Sequence, residues 1–256
     1  MAEKYIKMKT ESNKKKKKRK NFIKIIMLFI VLISVLVTLC LKLSYFNVQQ
    51  IDVAGNRNIG KEEIIKLSRI ARGNNIFYVN LKASRTNLLS NSNILDVHIK
   101  RVFPSKIVIT IKERDAVFYI QRDSKYLIID KEGIIIEEKD SIEALKLIRL
   151  DDIKTENAVV GKRITAEDKR TIELIGKITE LYNNNISKYS MTSANISNLL
   201  NINICYGNMC IKIGTADEIE KKLNKAINVM DTQGLADKKG YIDVSYEGNP
   251  VFYIEK

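Results

Sequence analysis

The feature that most constrains this chain is the uncharged, almost wholly apolar run of residues 25–41, which lies between Lys24 and Lys42. With both lysine side chains extending outward from its ends, the run reaches the roughly 20 residues that a helix needs to cross a bilayer. A signal peptide would have a shorter apolar region and then a small-residue cleavage site, which the following LCLKLSYF does not supply. The sequence therefore predicts one retained transmembrane helix over residues 24–43.

Basic residues are concentrated in front of this helix, with KKKKKRK at residues 14–20. Residues 1–24 hold 11 basic and 2 acidic side chains, so +9 of the formal net charge of +14 lies there. A basic run beside a membrane helix contacts anionic lipid headgroups, and the tail has no domain that could read bases. We therefore expect lipid contact through residues 14–43 and no nucleic-acid binding.

The same basic run predicts the orientation of the chain, because Lys and Arg collect on the cytoplasmic side of a membrane helix. Residues 1–23 are then a cytoplasmic tail, and residues 45–256 lie outside. Tyr45 and Phe46 would form an aromatic belt at the far interface. The sequence thus predicts a single-pass type II protein of the cell membrane.

Residues 45–115 change hydrophobic period in the order βααββ. The predicted elements are a strand ending at Gly55, a helix over 61–70 with Gly73 as its stop, a weaker helix over 81–91, and strands over 95–100 and 106–112. Alternation places Asp96, His98 and Lys100 on a solvated face, and two helices would cover the other face. Lysines on the solvated face of the last strand are expected to discourage edge-to-edge pairing.

Residues 116–256 predict an α+β domain that is rich in strands. AVFYI, YLIID and GIIIEE supply the first strands, whereas LIRLDDIKTEN is predicted to be a loop. Two capping boxes, TAED from Thr165 and TADE from Thr215, predict helices, and Gly234 would end the second. Their apolar faces would be formed by Ile172, Ile175, Ile178 and Leu181, and by Ile219, Leu223, Ile227 and Met230. We expect stacked hairpins with both helices against one face.

A cysteine pair flanks the Gly-Asn turn of LLNINICYGNMCIKIG, which is typical of a two-residue type II′ hairpin. The hairpin register would pair Cys205 with Cys210 and Ile202 with Ile213. The cysteines then fall in the closer, non-hydrogen-bonded kind of pair, where a disulfide can form. A disulfide and two free thiols both remain open, whereas a metal site would need more ligands than two cysteines.

No arrangement of residues for catalysis is evident. His98, the only histidine, belongs to the solvated face of a strand, and the adjacent carboxylates Asp151 and Asp152 lie in a loop where they need not converge. The phosphate-binding and nucleophile-elbow motifs are absent, although composition alone leaves a Ser-Lys dyad open. We expect a non-enzymatic protein with no catalytic residue, no cofactor, no metal and no small-molecule substrate.

The C-terminal YIDVSYEGNPVFYIEK consists of two strand-like runs around a Gly-Asn-Pro turn. Pro250 is typical of an edge position because it cannot donate to a ladder. The run after it is apolar on both faces, and such an edge is an aggregation hazard unless something pairs with it. Either a partner adds a strand there, or residues 251–256 pair with 241–246. Both can hold, because a hairpin leaves one edge open.

Several motifs, in order, resemble the FtsQ family of bacterial cell-division proteins, called DivIB in Gram-positive bacteria. They are FNVQQIDVAGN just after the membrane helix, GNNIFYVNL, VHIKRVFPSKIVITIKERDAV, YLIIDKEGIII and the closing YIDVSYEGNPVFYIEK. The resemblance implies a βααββ POTRA domain over residues 45–115 and a larger β-rich, partner-binding domain with two helices over 116–256.

The resemblance also implies a function without chemistry. Proteins of this family are divisome scaffolds at the septum, which help control septal peptidoglycan synthesis. Their partners are FtsL-like and FtsB/DivIC-like bitopic coiled-coil proteins, one of which adds a strand at the closing region. The positions carried over by resemblance are Tyr241, Ile242, Asp243, Val244 and Tyr246, with Tyr246 as the aromatic anchor, and the exposed run adds Val251, Phe252, Tyr253 and Ile254. The rival hypotheses are a membrane-anchored cell-wall enzyme and a POTRA-type secretion or assembly factor.

Overall fold

The computed structural model describes residues 2–143, 145–164, 169–184 and 188–255, with side chains from residue 21 onward. The chain divides into two compact units, one formed by residues 1–87 with 97–111 and the other by 88–96 with 112–256. Each unit has its own sheet.

The first unit begins with one long helix, α1 (Ala2–Lys42). Its stretch Asn21–Lys42 is long and apolar enough to cross a membrane, with a mean hydropathy of 2.9. The apolar side chains of this stretch are exposed, from Phe22 to Leu39. A helix that is apolar all round and whose apolar side chains are exposed is suited to lipid. The predicted membrane helix is therefore present as an N-terminal apolar helix.

A three-stranded sheet with two helices follows, which confirms the predicted βααββ order. After a short 3-10 turn at Ser44–Phe46, the elements are β1 (Gln50–Ala54), α2 (Lys61–Ser68), α3 (Leu81–Leu89), β2 (Ile94–Val102) and β3 (Lys106–Glu113). The strand order is β1-β3-β2, and β1 runs parallel to β3. His98 is exposed on the solvated side, as predicted.

Two expectations for this region were wrong. The strand with lysines at residues 106 and 112 is central, not an edge, because β3 lies between β1 and β2 in the sheet. Helix α2 ends at Ser68 and not near Gly73, because Arg69 takes a left-handed conformation with φ 56°. A residue in that conformation ends a helix without glycine.

The second unit is a nine-stranded sheet with two helices, which confirms a β-rich domain of the α+β class. Its elements are β4 (Ala116–Arg122), β5 (Lys125–Asp130), β6 (Ile135–Lys139), β7 (Ile148–Asp151), α4 (Lys169–Asn183), β8 (Ser193–Asn195), β9 (Ile202–Tyr206), β10 (Met209–Gly214), α5 (Ile219–Thr232), β11 (Gly240–Asp243) and β12 (Val251–Ile254). The strand order is β12-β11-β10-β9-β8-β7-β4-β5-β6. The hairpins therefore lie side by side in one sheet and are not stacked.

Strand β7 was not predicted, because all of its residues, Ile148–Asp151, lie in a stretch that was predicted to be a loop. It is held by parallel pairing on both sides, to β4 and β8, which no local pattern indicates. The carboxylate of Asp151 accepts from Arg149 Nε at 2.6 Å, and that of Asp152 accepts from Asn195 Nδ2 at 2.5 Å. The carboxylates of these two neighbours therefore have different partners.

Both helices were predicted with apolar faces that face the core, and the predicted start of α5 was wrong. Helix α5 begins at Ile219 and not at Thr215, whose hydroxyl is hydrogen-bonded to Asp217 Oδ2 at 2.9 Å in the turn before it. The capping box at Thr165 lies outside the described residues. The buried positions on these helices include Ile175, Ile178, Ile219, Leu223 and Met230.

One apolar core connects the helices to the sheet. Phe118, Ile148, Ile204 and Ile211, which belong to four different strands, are fully buried in it. Burial raises the pKa of the Tyr206 hydroxyl to about 12, because an apolar surrounding disfavours the phenolate.

Candidate functional site

The C-terminal strand β12 is an end strand of the nine-stranded sheet. It pairs antiparallel with β11, with Tyr241 opposite Tyr253 and Asp243 opposite Val251. Of the two alternatives for this region, pairing within the chain is therefore present. It leaves the other side of β12 as the edge of the sheet.

The backbone of β12 alternates between its neighbour and the open edge. Glu255 N–H donates to Lys239 O of the neighbouring segment at 2.8 Å. Because hydrogen-bonded and non-bonded residues alternate in an antiparallel pair, Tyr253 and Val251 also face β11. Phe252 and Ile254 therefore present their N–H and C=O groups to the open edge. Pro250, two residues before Phe252, would face the same side, but proline has no N–H to present.

Every side chain of β12 is exposed, with exposed fractions of 54% for Val251, 41% for Phe252, 53% for Tyr253 and 36% for Ile254. The Tyr253 ring stacks on the Tyr241 ring, with centroids 5.6 Å apart. Phe252 is opposite the fully buried Ile242 and shares its face. The edge is thus apolar on both faces, as the sequence indicated.

The predicted partner-binding residues do not all reach the surface. Ile242 is fully buried and Val244 is 4% exposed, so their side chains belong to the core and cannot contact a partner. Tyr241 is half-buried beneath Tyr253, and Tyr246 is 47% exposed. The alternation in YIDV could have separated the buried positions from the exposed ones, because successive strand residues point to opposite faces.

Side chains of β10, of α5 and of the turn itself stabilise this hairpin, and no local sequence pattern predicts these contacts. Lys212 Nζ of β10 lies 3.5 Å from the centroid of the Tyr241 ring, a cation–π contact. Lys225 Nζ of α5 donates to Gly248 O in the turn between the strands. In the same turn Tyr246 Oη donates to Asn249 O at 3.1 Å. These contacts hold the hairpin that carries β12 in place.

The cysteine pair lies one strand further in. The structure joins Cys205 and Cys210 in a disulfide with a Cα–Cα distance of 4.0 Å, at the register that the hairpin predicted. Gly207 has φ 61° at the first turn position, which a type II′ turn requires. The predicted pairing of Ile202 with Ile213 is wrong, since a bulge after Lys212 places Gly214 opposite Ile202.

Within the described residues, no group of three or more His, Cys, Asp or Glu side chains could hold a metal ion. A surface hollow of about 430 Å³ is lined by residues of α4 and α5, including Lys177, Glu218 and Lys221. Glu218 and Lys221 pair with each other at 3.1 Å. This hollow thus has the ion pair of an ordinary helix surface, and the open edge is the better candidate for a functional site.

Comparison with known proteins identifies the family. Residues 46–114 match the family described as POTRA domain, FtsQ-type, and residues 118–245 match the one described as Cell division protein FtsQ/DivIB, C-terminal. The cell division protein DivIB of Clostridium botulinum strain Hall is 46% identical over 256 residues, which cover 100% of this chain and 97% of that protein. DivIB of Clostridium acetobutylicum is 43% identical over 226 residues, covering 88% of this chain and 89% of the relative. DivIB of Bacillus subtilis is 30% identical over 129 residues, covering 50% and 48%. The chain therefore belongs to the FtsQ/DivIB family of cell division proteins.

Proposed function

We propose that this membrane-anchored division protein is a non-enzymatic scaffold of the divisome. It binds FtsL-like and FtsB/DivIC-like bitopic coiled-coil proteins outside the membrane and so helps control septal peptidoglycan synthesis. Its N-terminal tail is cytoplasmic, and residues 45–256 lie on the outer side at the division septum. The observation that carries the proposal is the open, apolar edge of β12.

Strand addition is the binding mode that such an edge favours. A partner strand would hydrogen-bond to the N–H and C=O groups of Phe252 and Ile254, and its side chains would cover the exposed apolar faces. A backbone hydrogen bond contributes a net ~0.5–1.5 kcal/mol, so four of them form only a modest interface. Confinement of both proteins to one membrane raises their effective concentration, and such an interface can then hold a complex.

The two halves of the extracytoplasmic part have different roles in this proposal. Residues 45–115 form the POTRA domain, which acts as a second docking module. Residues 116–256 form the partner-binding domain that carries β12. The family match of the second half ends at residue 245, so the role of β12 rests on its geometry and not on that match.

The rival functions have less support. A cell-wall enzyme needs a nucleophile with a base, a metal cluster or a carboxylate pair in a cleft, and the relatives are named as cell division proteins. A POTRA-type secretion or assembly factor would carry tandem copies of the domain beside a β-barrel. The family match places one POTRA domain in this chain, over residues 46–114.

The proposal is tested by photo-crosslinking in living cells with the full-length chain. A photoreactive amino acid at Tyr253 is expected to capture a short bitopic coiled-coil protein. The matched control is Lys139 in β6, at the other end of the same sheet, where no such adduct is expected. Equal capture at both positions, or only intramolecular links at Tyr253, would overturn strand addition at this edge.

A second pair of variants separates the backbone from the side chain. Phe252→Pro removes an N–H that faces the open edge and is not part of the pairing with β11, so the hairpin is expected to persist. Phe252→Ala removes the same aromatic ring but keeps the N–H. If a strand is added here, proline should abolish the adduct at Tyr253, whereas alanine should only weaken it.

A further inference from the structure

A second exposed apolar surface lies in the first unit, where the membrane helix ends. Four aromatic rings from three separate segments are in contact there, and the exposed Tyr78 follows Phe77 in the same loop. We call these residues the aromatic platform: Tyr45, Phe46, Phe77, Tyr78 and Phe103. Ring centroids are 5.3 Å apart for Tyr45 and Phe46, 5.6 Å for Phe46 and Phe77, and 5.2 Å for Phe77 and Phe103. The exposed fractions are 63% for Tyr45, 67% for Tyr78 and 57% for Phe103.

The platform is tied directly to the end of the membrane helix. Asn75 Nδ2 donates to Cys40 O at 3.0 Å and to Leu41 O at 3.2 Å, so it satisfies two of the last carbonyl groups of α1. Its own Oδ1 accepts from Phe77 N–H at 3.0 Å, and Ile76 N–H donates to Phe46 O at 2.8 Å. The loop that carries Phe77 and Tyr78 is therefore held beside the last turn of the helix.

A third contact joins the loop to the strand that leads to Phe103. Arg101 Nε donates to Ile76 O at 2.8 Å, and Nη2 donates to Val79 O at 2.5 Å. One guanidinium group thus binds the carbonyl groups of the residues just before and just after Phe77 and Tyr78. The exposed rings are consequently presented by a fixed backbone and not by a loose loop.

The position of the platform indicates what covers it. Tyr45 follows the candidate span, which ends at Lys42, by only three residues, and it lies in the 3-10 turn Ser44–Phe46, where the rise is only ~2 Å per residue, so it stays within the headgroup region. Aromatic rings with a polar edge are enriched at that depth, where one end is apolar and the other is wet. Through the ring contacts of Phe77 and Phe103, the platform continues from Tyr45 and Phe46 away from the helix, toward neighbouring lipid headgroups.

The charge around the platform suits a lipid surface. The three contributing segments, residues 42–49, 72–80 and 100–105, contain Lys42, Arg72, Lys100 and Arg101 but no Asp or Glu. A bilayer with anionic headgroups attracts such basic residues. An acidic residue among the rings would oppose docking, and these segments have none.

We propose that the aromatic platform docks into the interface of the bilayer leaflet next to Lys42, and so seats the first unit on the membrane. The occupant is lipid, because the surface is continuous with the end of the membrane helix. This inference goes beyond the proposed function and does not depend on β12. It adds a second membrane contact, formed by the folded domain, to the one made by the helix.

The experiment uses the absence of tryptophan from the sequence. A tryptophan at Phe103 or at Tyr78 becomes the only one in the full-length chain, which is placed in nanodiscs of phosphatidylglycerol and phosphatidylethanolamine. Brominated lipids quench its fluorescence from the membrane, and acrylamide quenches it from water. The matched control is Thr110→Trp, an exposed position of β3 that pairs with Ala54 at the end of β1 remote from the helix.

Docking predicts that Phe103→Trp and Tyr78→Trp are quenched several-fold more by brominated lipid than Thr110→Trp, and correspondingly less by acrylamide. Access to acrylamide equal to that of the control, without lipid quenching, would overturn the proposal. Protection from both quenchers would also overturn it, because a protein surface would then cover the rings. Both replaced side chains are exposed, and equal thermal unfolding of all three variants verifies that they fold.

Discussion

The two edges of the nine-stranded sheet, β6 and β12, differ in how they meet solvent. At β6, Ile135 N–H donates to Lys162 O at 2.9 Å and Gly161 N–H donates to Ile135 O at 2.7 Å. A segment of the chain thus covers the beginning of that edge. At β12, four consecutive exposed apolar residues form the whole strand. One edge is covered in part by its own chain, whereas the outer side of the other has no strand of the described chain paired to it.

Charged side chains and a register shift discourage another strand from pairing with the rest of β6. Glu138 pairs with Arg122 at 2.5 Å and with Lys125 at 3.0 Å, and Lys139 pairs with Glu137 at 3.2 Å. A register shift between Ile128 and Ile129 interrupts its pairing with β5. Charged residues, bulges and covering segments are the devices by which natural sheets avoid edge-to-edge association. The difference teaches that this chain protects one edge and leaves the other one apolar and exposed.

The largest expected effect is a difference in the free energy of unfolding between a core substitution in β6 and a surface substitution in β12. Ile135 of β6 is fully buried, whereas Ile254 of β12 is 36% exposed. Ile135→Ala should lower the free energy of unfolding by about 2–5 kcal/mol, because it leaves a cavity in the core. Ile254→Ala should change it by no more than about 0.5 kcal/mol, as for other surface positions. Urea unfolding of the two variants measures this, and similar losses would mean that β12 belongs to the core.

A smaller effect is expected when β12 is given the charge pattern of β6. Phe252→Glu combined with Ile254→Lys copies Glu137 and Lys139 onto the open edge. Partner affinity should fall by about tenfold or more, which is about 1.4 kcal/mol. Stability should stay within about 0.5 kcal/mol. Binding of the full-length chain to the proposed bitopic coiled-coil proteins is the measurement.

The control for that exchange is the reverse change on β6, Glu137→Phe with Lys139→Ile. Because the segment around Gly161 still covers part of that edge, partner affinity should remain that of the unmodified chain. A loss on β6 equal to the loss on β12 would remove the distinction between the two edges.

The smallest effect concerns the pH dependence of the charged edge. Hydrogen bonding to Lys125, and then to Arg122, holds the pKa of Glu138 below its ordinary value of 4.5, against the opposing effect of burial. A carboxyl whose pKa is lower when folded contributes stability above its unfolded pKa and loses it as pH falls through the folded pKa. Stability should therefore decline below about pH 4.5, and Glu138→Gln should flatten this decline slightly. Unfolding measured against pH tests it, and an unchanged slope would mean that the ion pairs are fully screened.

Much of the fold could be predicted from local patterns. The membrane helix, the βααββ order and the apolar faces of α4 and α5 depend on hydrophobic period, which is written in consecutive residues. The Gly207 turn likewise depends on two residues and their neighbours. The exposed run at Val251–Ile254 was found for the same reason, since Pro250 and the four apolar residues after it are adjacent in the chain.

The errors occurred where distant residues decide the outcome. Strand β3 is central because a crossover places β1 on its far side, and β7 exists because two parallel neighbours pair with it. Helix α5 starts at Ile219 because Glu218, with φ 51°, is not helical, although the sequence offered a capping box earlier. Local propensity is a weak guide where tertiary pairing sets the boundary.

The sequence by itself determined that this chain has one membrane helix, a βααββ domain and a strand-rich domain ending in an apolar strand, because these properties follow from hydrophobic period and charge. Only the tertiary structure decided which of the two edges of the nine-stranded sheet stays open, and that Phe46, Phe77 and Phe103 meet beside the membrane helix. Both outcomes depend on contacts between segments far apart in sequence. Such contacts form when the chain buries its core, and no short stretch of residues contains them.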